Sequence, residues 1–183
     1  MLRLTRLTET SLIVHWLSGS EGLVRTVAKG ARRPKSPFLG KLDLFFGAEI
    51  GISRARSGDL HLLREVVVAQ WREGIRRDYV TTLMAGYFCQ LMERGLEPEH
   101  PEPEFFDLLK RALDHLEVTP PSIRAVTHFE REFARLLGIM NQQSTPENSL
   151  RDALGSLPTT RKELIERLSS PIDFDSSDTG NGR

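Results

Sequence analysis

The chain of 183 residues carries 25 Lys and Arg against 25 Asp and Glu, 39% hydrophobic residues and one cysteine, Cys89. That length accommodates one large domain or two small ones; a lone cysteine excludes an internal disulfide and a multi-cysteine zinc site, and no segment approaches the roughly 18 uninterrupted apolar residues of a membrane span. The charge is unevenly spread: residues 1–70 hold 11 basic and 6 acidic side chains and residues 71–183 hold 14 and 19, a pattern that points to one polyanion-binding half.

The N-terminal segment MLRLTRLTET lacks the basic-then-apolar run of a secretory signal, so a cytoplasmic protein is expected. The first seventy residues carry strand patterns. LRLTRL alternates Leu2 and Leu4 with Arg3 and Thr5, and SLIVHWL is β-branched and aromatic. A GSEG turn leads to LVRTVAKG, with Arg25 and Lys29 in one alternating set. A fourth strand is expected in LDLFFGAEIGIS and, after the RARSGD turn, a fifth in LHLLREVVVA. Five short strands with glycine-containing turns predict an N-terminal five-stranded OB-type β-barrel. The fold class expected is therefore α+β, with a C-terminal α-helical domain after the barrel.

Near residues 70–77 the period changes. Val80, Leu83, Met84, Tyr87, Phe88, Leu91 and Met92 fall at helical spacing, with Asp78 as the N-cap and Gly95 as the stop. Phe105, Leu108, Leu109, Ala112, Leu113 and Leu116 mark a second helix after the proline-broken LEPEHPEPE. Pro120 and Pro121 are expected to open a third, ended by Gly138. Thr160 and Glu163 form the pattern of a capping box before LIERL. The polar end DFDSSDTGNGR predicts disorder. The expected division is residues 1–70 for a DNA-binding barrel, 71–170 for a helical domain and 171–183 for a disordered tail.

Catalytic signatures are missing: no GxxxxGK[ST] loop, no GxSxG elbow and no HExxH. The five histidines are scattered over unlike elements, and His128 and Glu130, two apart on a helix, face different ways and are read as solvent-facing. No catalytic residue, metal site, cofactor or small-molecule substrate is expected. Cys89, among Tyr87, Phe88 and Leu91, is a small core residue.

What remains is VAKGARRPKSPFLGKL, residues 27–42, with five basic residues and no acid. With Arg25 on the preceding strand, Lys29, Arg32, Arg33, Lys35 and Lys41 can neutralise several phosphates of single- or double-stranded DNA. Gly30 and Gly40 allow close backbone approach, and Pro34 and Pro37 limit the loop's freedom. Trp16, Phe38, Phe45 and Phe46 are the candidate aromatic platforms, few for a single-strand binder.

The order of these motifs resembles the RecO family of bacterial recombination and repair proteins. The matching positions are Glu9, Ser11, Gly22, Ala28, Lys29, Gly30, Ala31, Arg32, Ser36, Gly40, Leu42 and Phe45, with GDLHLLREV as a fifth strand and a less specific match through Phe129, Glu130, Leu137 and Gly138. The resemblance implies a non-catalytic DNA-binding mediator, associated with the nucleoid, that assists strand annealing and RecA loading beside RecR and the single-stranded DNA-binding protein (SSB). It departs from the family in having no four-cysteine zinc module and a short, acidic-leaning C-terminal segment. On the third helix, Phe129 and Phe133 with Arg124, Arg131 and Arg135 are the expected partner site, suited to an acidic peptide with an apolar end. The competing reading is a protein-interaction scaffold of a repair or replication complex with weak or lost DNA binding.

Overall fold

The computed structural model describes residues 1–140 and 143–170; the expected disordered tail, 171–183, lies outside the described residues. Five strands form one sheet: β1 (Arg3–Arg6), β2 (Leu12–Ser18), β3 (Gly22–Ala28), β4 (Gly47–Ser53) and β5 (Leu60–Gln70). Five α-helices follow: α1 (Tyr79–Gly95), α2 (Pro103–Val118), α3 (Ile123–Leu136), α4 (Pro146–Leu154) and α5 (Thr160–Ser169).

The sheet order is β1-β2-β3-β5-β4, antiparallel except for the β3–β5 pair. A closed barrel is not formed: β1 and β4 are edges. Just before each of them, the Met1 ammonium donates to the Phe46 carbonyl (2.8 Å) and the Phe45 N–H donates to the Met1 carbonyl (3.1 Å). The fourth strand starts at Gly47 rather than at Leu42. Phe45 sits in the left-handed region at φ 68°, which breaks the extended path. The break buries both Phe45 and Phe46, two neighbours that a strand would have sent to opposite faces.

Two apolar cores result. Val14, Trp16, Val24, Ala28, Phe38, Leu63 and Val66 pack together on the strand side. The larger core joins α1, α2 and α3 and also takes in Leu2, Leu17 and Phe45 from the sheet half. Arg72 secures the joint. It is buried, adopts φ 47°, and donates to Asp114 Oδ1 (3.0 and 2.8 Å), Gln70 Oε1 (2.6 Å) and the Phe45 carbonyl (2.7 Å). These four bonds hold a non-glycine residue in a backbone region that costs about 1–3 kcal/mol.

Asp78 caps α1 as expected, accepting from the Thr81 N–H at 2.7 Å. Gly95 ends that helix for a packing reason: a Cβ there would meet Phe133 Cζ at 2.6 Å. The third helix begins at Ile123, behind a Ser122 cap that accepts from the Ala125 N–H, and not at the two prolines. Gly138 ends it at φ 70°. Helix α4 escaped the sequence reading although Thr145 and Pro146 open it as N-cap and first residue. The expected capping box is not made: α5 follows Thr159, Thr160 donates to Gln90 Oε1, and Glu163 accepts from Tyr79 and Arg167. Cys89 is buried as expected, and burial pushes its thiol up to about 12.

Candidate nucleic-acid interface

The segment between β3 and β4 is built from successive tight turns. Arg33 N–H donates to the Gly30 carbonyl, Ser36 to Arg33, Leu39 to Ser36 and Lys41 to Phe38. Gly30 and Gly40 take φ 67° and 72°, the positions where a left-handed residue is needed. Ala31 and Phe38 are buried in the strand-side core and pin the segment from below. Leu42 packs partly against the same core, and the charged side chains turn outward. Lys29, Arg32, Arg33, Lys35 and Lys41 are all exposed, and none has an acidic partner among the described residues. Arg32 instead donates to the Glu9 carbonyl at 3.0 Å, joining this loop to the β1–β2 turn. Between the two lies a cleft of about 470 Å³ lined by Leu7, Thr8, Ser11, Lys29, Gly30 and Arg33.

Arg25 differs from the other five. Its guanidinium pairs with Asp59, whose carboxyl that hydrogen bond holds below the usual carboxylate range. The candidate platforms differ from expectation as well. Trp16, Phe38, Phe45 and Phe46 are all buried, and Trp16 spends its indole N–H on Thr26 Oγ1 at 2.8 Å. Among the described residues the exposed aromatics are Trp71, Tyr79 and Phe106, which helical or strand periodicity does not single out.

On the helical side, Phe129 and Phe133 are core residues. Phe129 stacks on Phe88 with centroids 3.9 Å apart, and Phe133 meets Phe105 edge-on at 5.5 Å. Arg124 and Arg131 are exposed at the rim of a cleft of about 850 Å³ between α2 and α3, whose floor includes Phe88, Leu108 and Phe129. Arg135 is outside that lining and pairs with Glu132 at 3.0 Å. Glu130 is not solvent-facing: it is 1% exposed. It accepts from Tyr87 Oη (2.6 Å) and from both arms of Arg161 (2.6 and 3.2 Å), and Arg161 also meets Glu147 at 3.0 Å. A buried carboxylate requires such partners, and here they lock α1, α3, α4 and α5 together. The missing sequence signal was Arg161, 31 residues away on an element not expected to touch α3.

Comparison with known proteins follows the same division. The model described as Recombination protein O N terminal matches residues 1–72, and that described as Recombination protein O C terminal matches residues 76–144. This chain belongs to the RecO family. It is 34% identical over 139 residues to the DNA repair protein RecO of Rhodopirellula baltica, covering 75% of this chain and 51% of that protein. The RecO of Geobacter metallireducens is 35% identical over 130 residues, covering 71% and 52%. That of Anaeromyxobacter sp. strain K is 34% identical over 143 residues, covering 76% and 55%. The chain thus spans about half the length of the curated RecO relatives it matches. No helix among the described residues is long and apolar enough to cross a membrane.

Proposed function

We propose that this chain is a DNA-binding mediator of recombination and repair that assists strand annealing and RecA loading with RecR and SSB, without a chemical step of its own. The observation that carries the reading is the turn-built loop on which Lys29, Arg32, Arg33, Lys35 and Lys41 stand exposed with no acidic partner among the described residues. Water solvates such charges well, but five of them fixed on one stiff segment attract a polyanion and gain counterion-release entropy when it binds. In this reading the sheet is a partly open OB-type barrel, residues 1–70 form the DNA-binding domain and 71–170 the helical domain, and the protein works at the nucleoid. The test is a titration with single- and double-stranded oligonucleotides at two salt concentrations. Binding that weakens steeply with salt is expected; no binding at low salt overturns the proposal.

The α2–α3 cleft favours a second role, protein recruitment. Its apolar floor with Arg124 and Arg131 on the rim suits an acidic peptide ending in an apolar side chain, the chemistry that the family resemblance assigns to the SSB tail. If DNA binding fails and peptide binding holds, the scaffold reading stands.

A further inference from the structure

Charge on the loop explains attraction to DNA of any kind, but not discrimination between paired and unpaired strands. That requires a surface for exposed bases, and the four aromatics expected to supply it are buried. Trp71 is 48% exposed and is the first residue after β5. It stands at the joint, where Arg72 turns left-handed directly after it. The indole is nonetheless held in place. Phe46 meets it edge-on, with centroids 5.0 Å apart and planes at 76°. The Arg76 guanidinium lies 4.7 Å from the centroid of the same Phe46 ring.

Arg76 also ties this spot to the end of the cationic loop. It donates to the Leu44 carbonyl at 3.0 Å and meets Asp43 Oδ2 at 3.1 Å, two residues beyond the free Lys41. Arg77, next in the chain, is exposed with no acidic partner among the described residues. A half-exposed indole backed by a buried aromatic, with the exposed Arg77 six residues on in the chain, has the composition of a base-stacking platform: the π-face takes any base, and a cation takes a neighbouring phosphate. Tyr79 lacks this setting, since its ring is covered by Arg167 at 4.7 Å and its hydroxyl is given to Glu163.

We propose that Trp71 is the stacking platform for an unpaired base of a single strand whose phosphates run along the loop from Lys29 to Lys41. The inference rests on the DNA-binding reading above, and adds preference for unpaired bases to it. In a duplex the bases are already stacked on one another and cannot reach the indole, so Trp71 serves single strands alone.

The test uses the full chain with a fluorescently labelled oligo-dT and a duplex of equal length. Trp71→Ala is expected to weaken single-strand binding by roughly 5- to 150-fold and to leave duplex binding unchanged. The protein has only two tryptophans, and Trp16 is buried. Oligo-dT should therefore quench the Trp71 emission, and Trp71→Phe should abolish that quench while keeping most of the affinity. If Trp71→Ala is poorly folded, the quench in the unmutated protein and its loss in Trp71→Phe decide the matter. Unchanged single-strand affinity with no quench overturns the platform and leaves DNA binding intact. Equal losses for both DNA forms also overturn it, because the effect is then not base stacking. If neither DNA binds the unmutated chain, both proposals fall together.

Discussion

Changing Arg32, Arg33 and Lys35 together to Ala removes three of the five loop cations that have no acidic partner among the described residues, while Phe38 and Ala31, which anchor the loop, stay in place. Each phosphate neutralised on a single strand contributes about −0.7 to the slope of log affinity against log salt, so five contacts give about −3.5 and the two that remain give about −1.4. Between about 50 and about 200 mM salt the unmutated chain should lose roughly 130-fold in affinity, and the triple variant only about 7-fold. Fluorescence anisotropy with a labelled oligonucleotide at four or five salt concentrations measures both slopes. Arg25→Ala is the internal comparison: Arg25 already faces Asp59, so its loss should change the slope by less than one loop cation does. A triple variant that binds more weakly with an unchanged slope would refute the reasoning, because its lost contacts would then not be ionic. An Arg25 effect as large as the triple's would place the phosphates along β3 instead.

Removing Glu130 by Ala strands the Tyr87 hydroxyl in the helical core and leaves Arg161 with Glu147 as its remaining partner. Loss of one partner of a buried pair costs about 3–5 kcal/mol, so the melting midpoint should fall by roughly 10 °C; a shift near zero would show that the network is not strongly coupled to folding. Burial lowers the Met1 ammonium to about 6, with Arg72 acting in the same direction and Cys89 opposing. A chain with a free Met1 amine then binds a proton more readily unfolded than folded between about pH 6 and about pH 8, so its stability is full above that window and declines as pH falls through it. His15, also held below its usual range by burial and by Arg3, adds to the decline at the lower end. Denaturant midpoints measured from pH 8.5 to 5.5 check this, and acetylating the amine should flatten the upper part of the curve. At the α2–α3 cleft, Arg124→Glu with Arg131→Glu should abolish calorimetric binding of an acidic, apolar-ended peptide without changing the melting midpoint; retained binding would move the peptide elsewhere.

Local chemistry made much of this protein legible from its sequence. The basic loop could be placed because lysine and arginine between glycines and prolines have nothing to bury, so they remain outside whatever the fold does. Asp78 announced α1 and Gly138 ended α3 because caps act within one turn of the chain. Long-range packing decided the rest. Whether the sheet closes depends on edges forty-five residues apart, and here Met1 bonds Phe45 and Phe46 without the two edge strands pairing. Phe45 and Phe46 read as successive strand residues until Arg72, 27 positions later, binds the Phe45 carbonyl and a left-handed turn buries both rings. Glu130 looked like a surface carboxylate because its partners, Tyr87 and Arg161, belong to other helices. The same holds for the aromatic surface. Composition counts tryptophans, but only the packed structure makes Trp16 core and offers Trp71 to solvent, since exposure belongs to the packed chain and not to the residue.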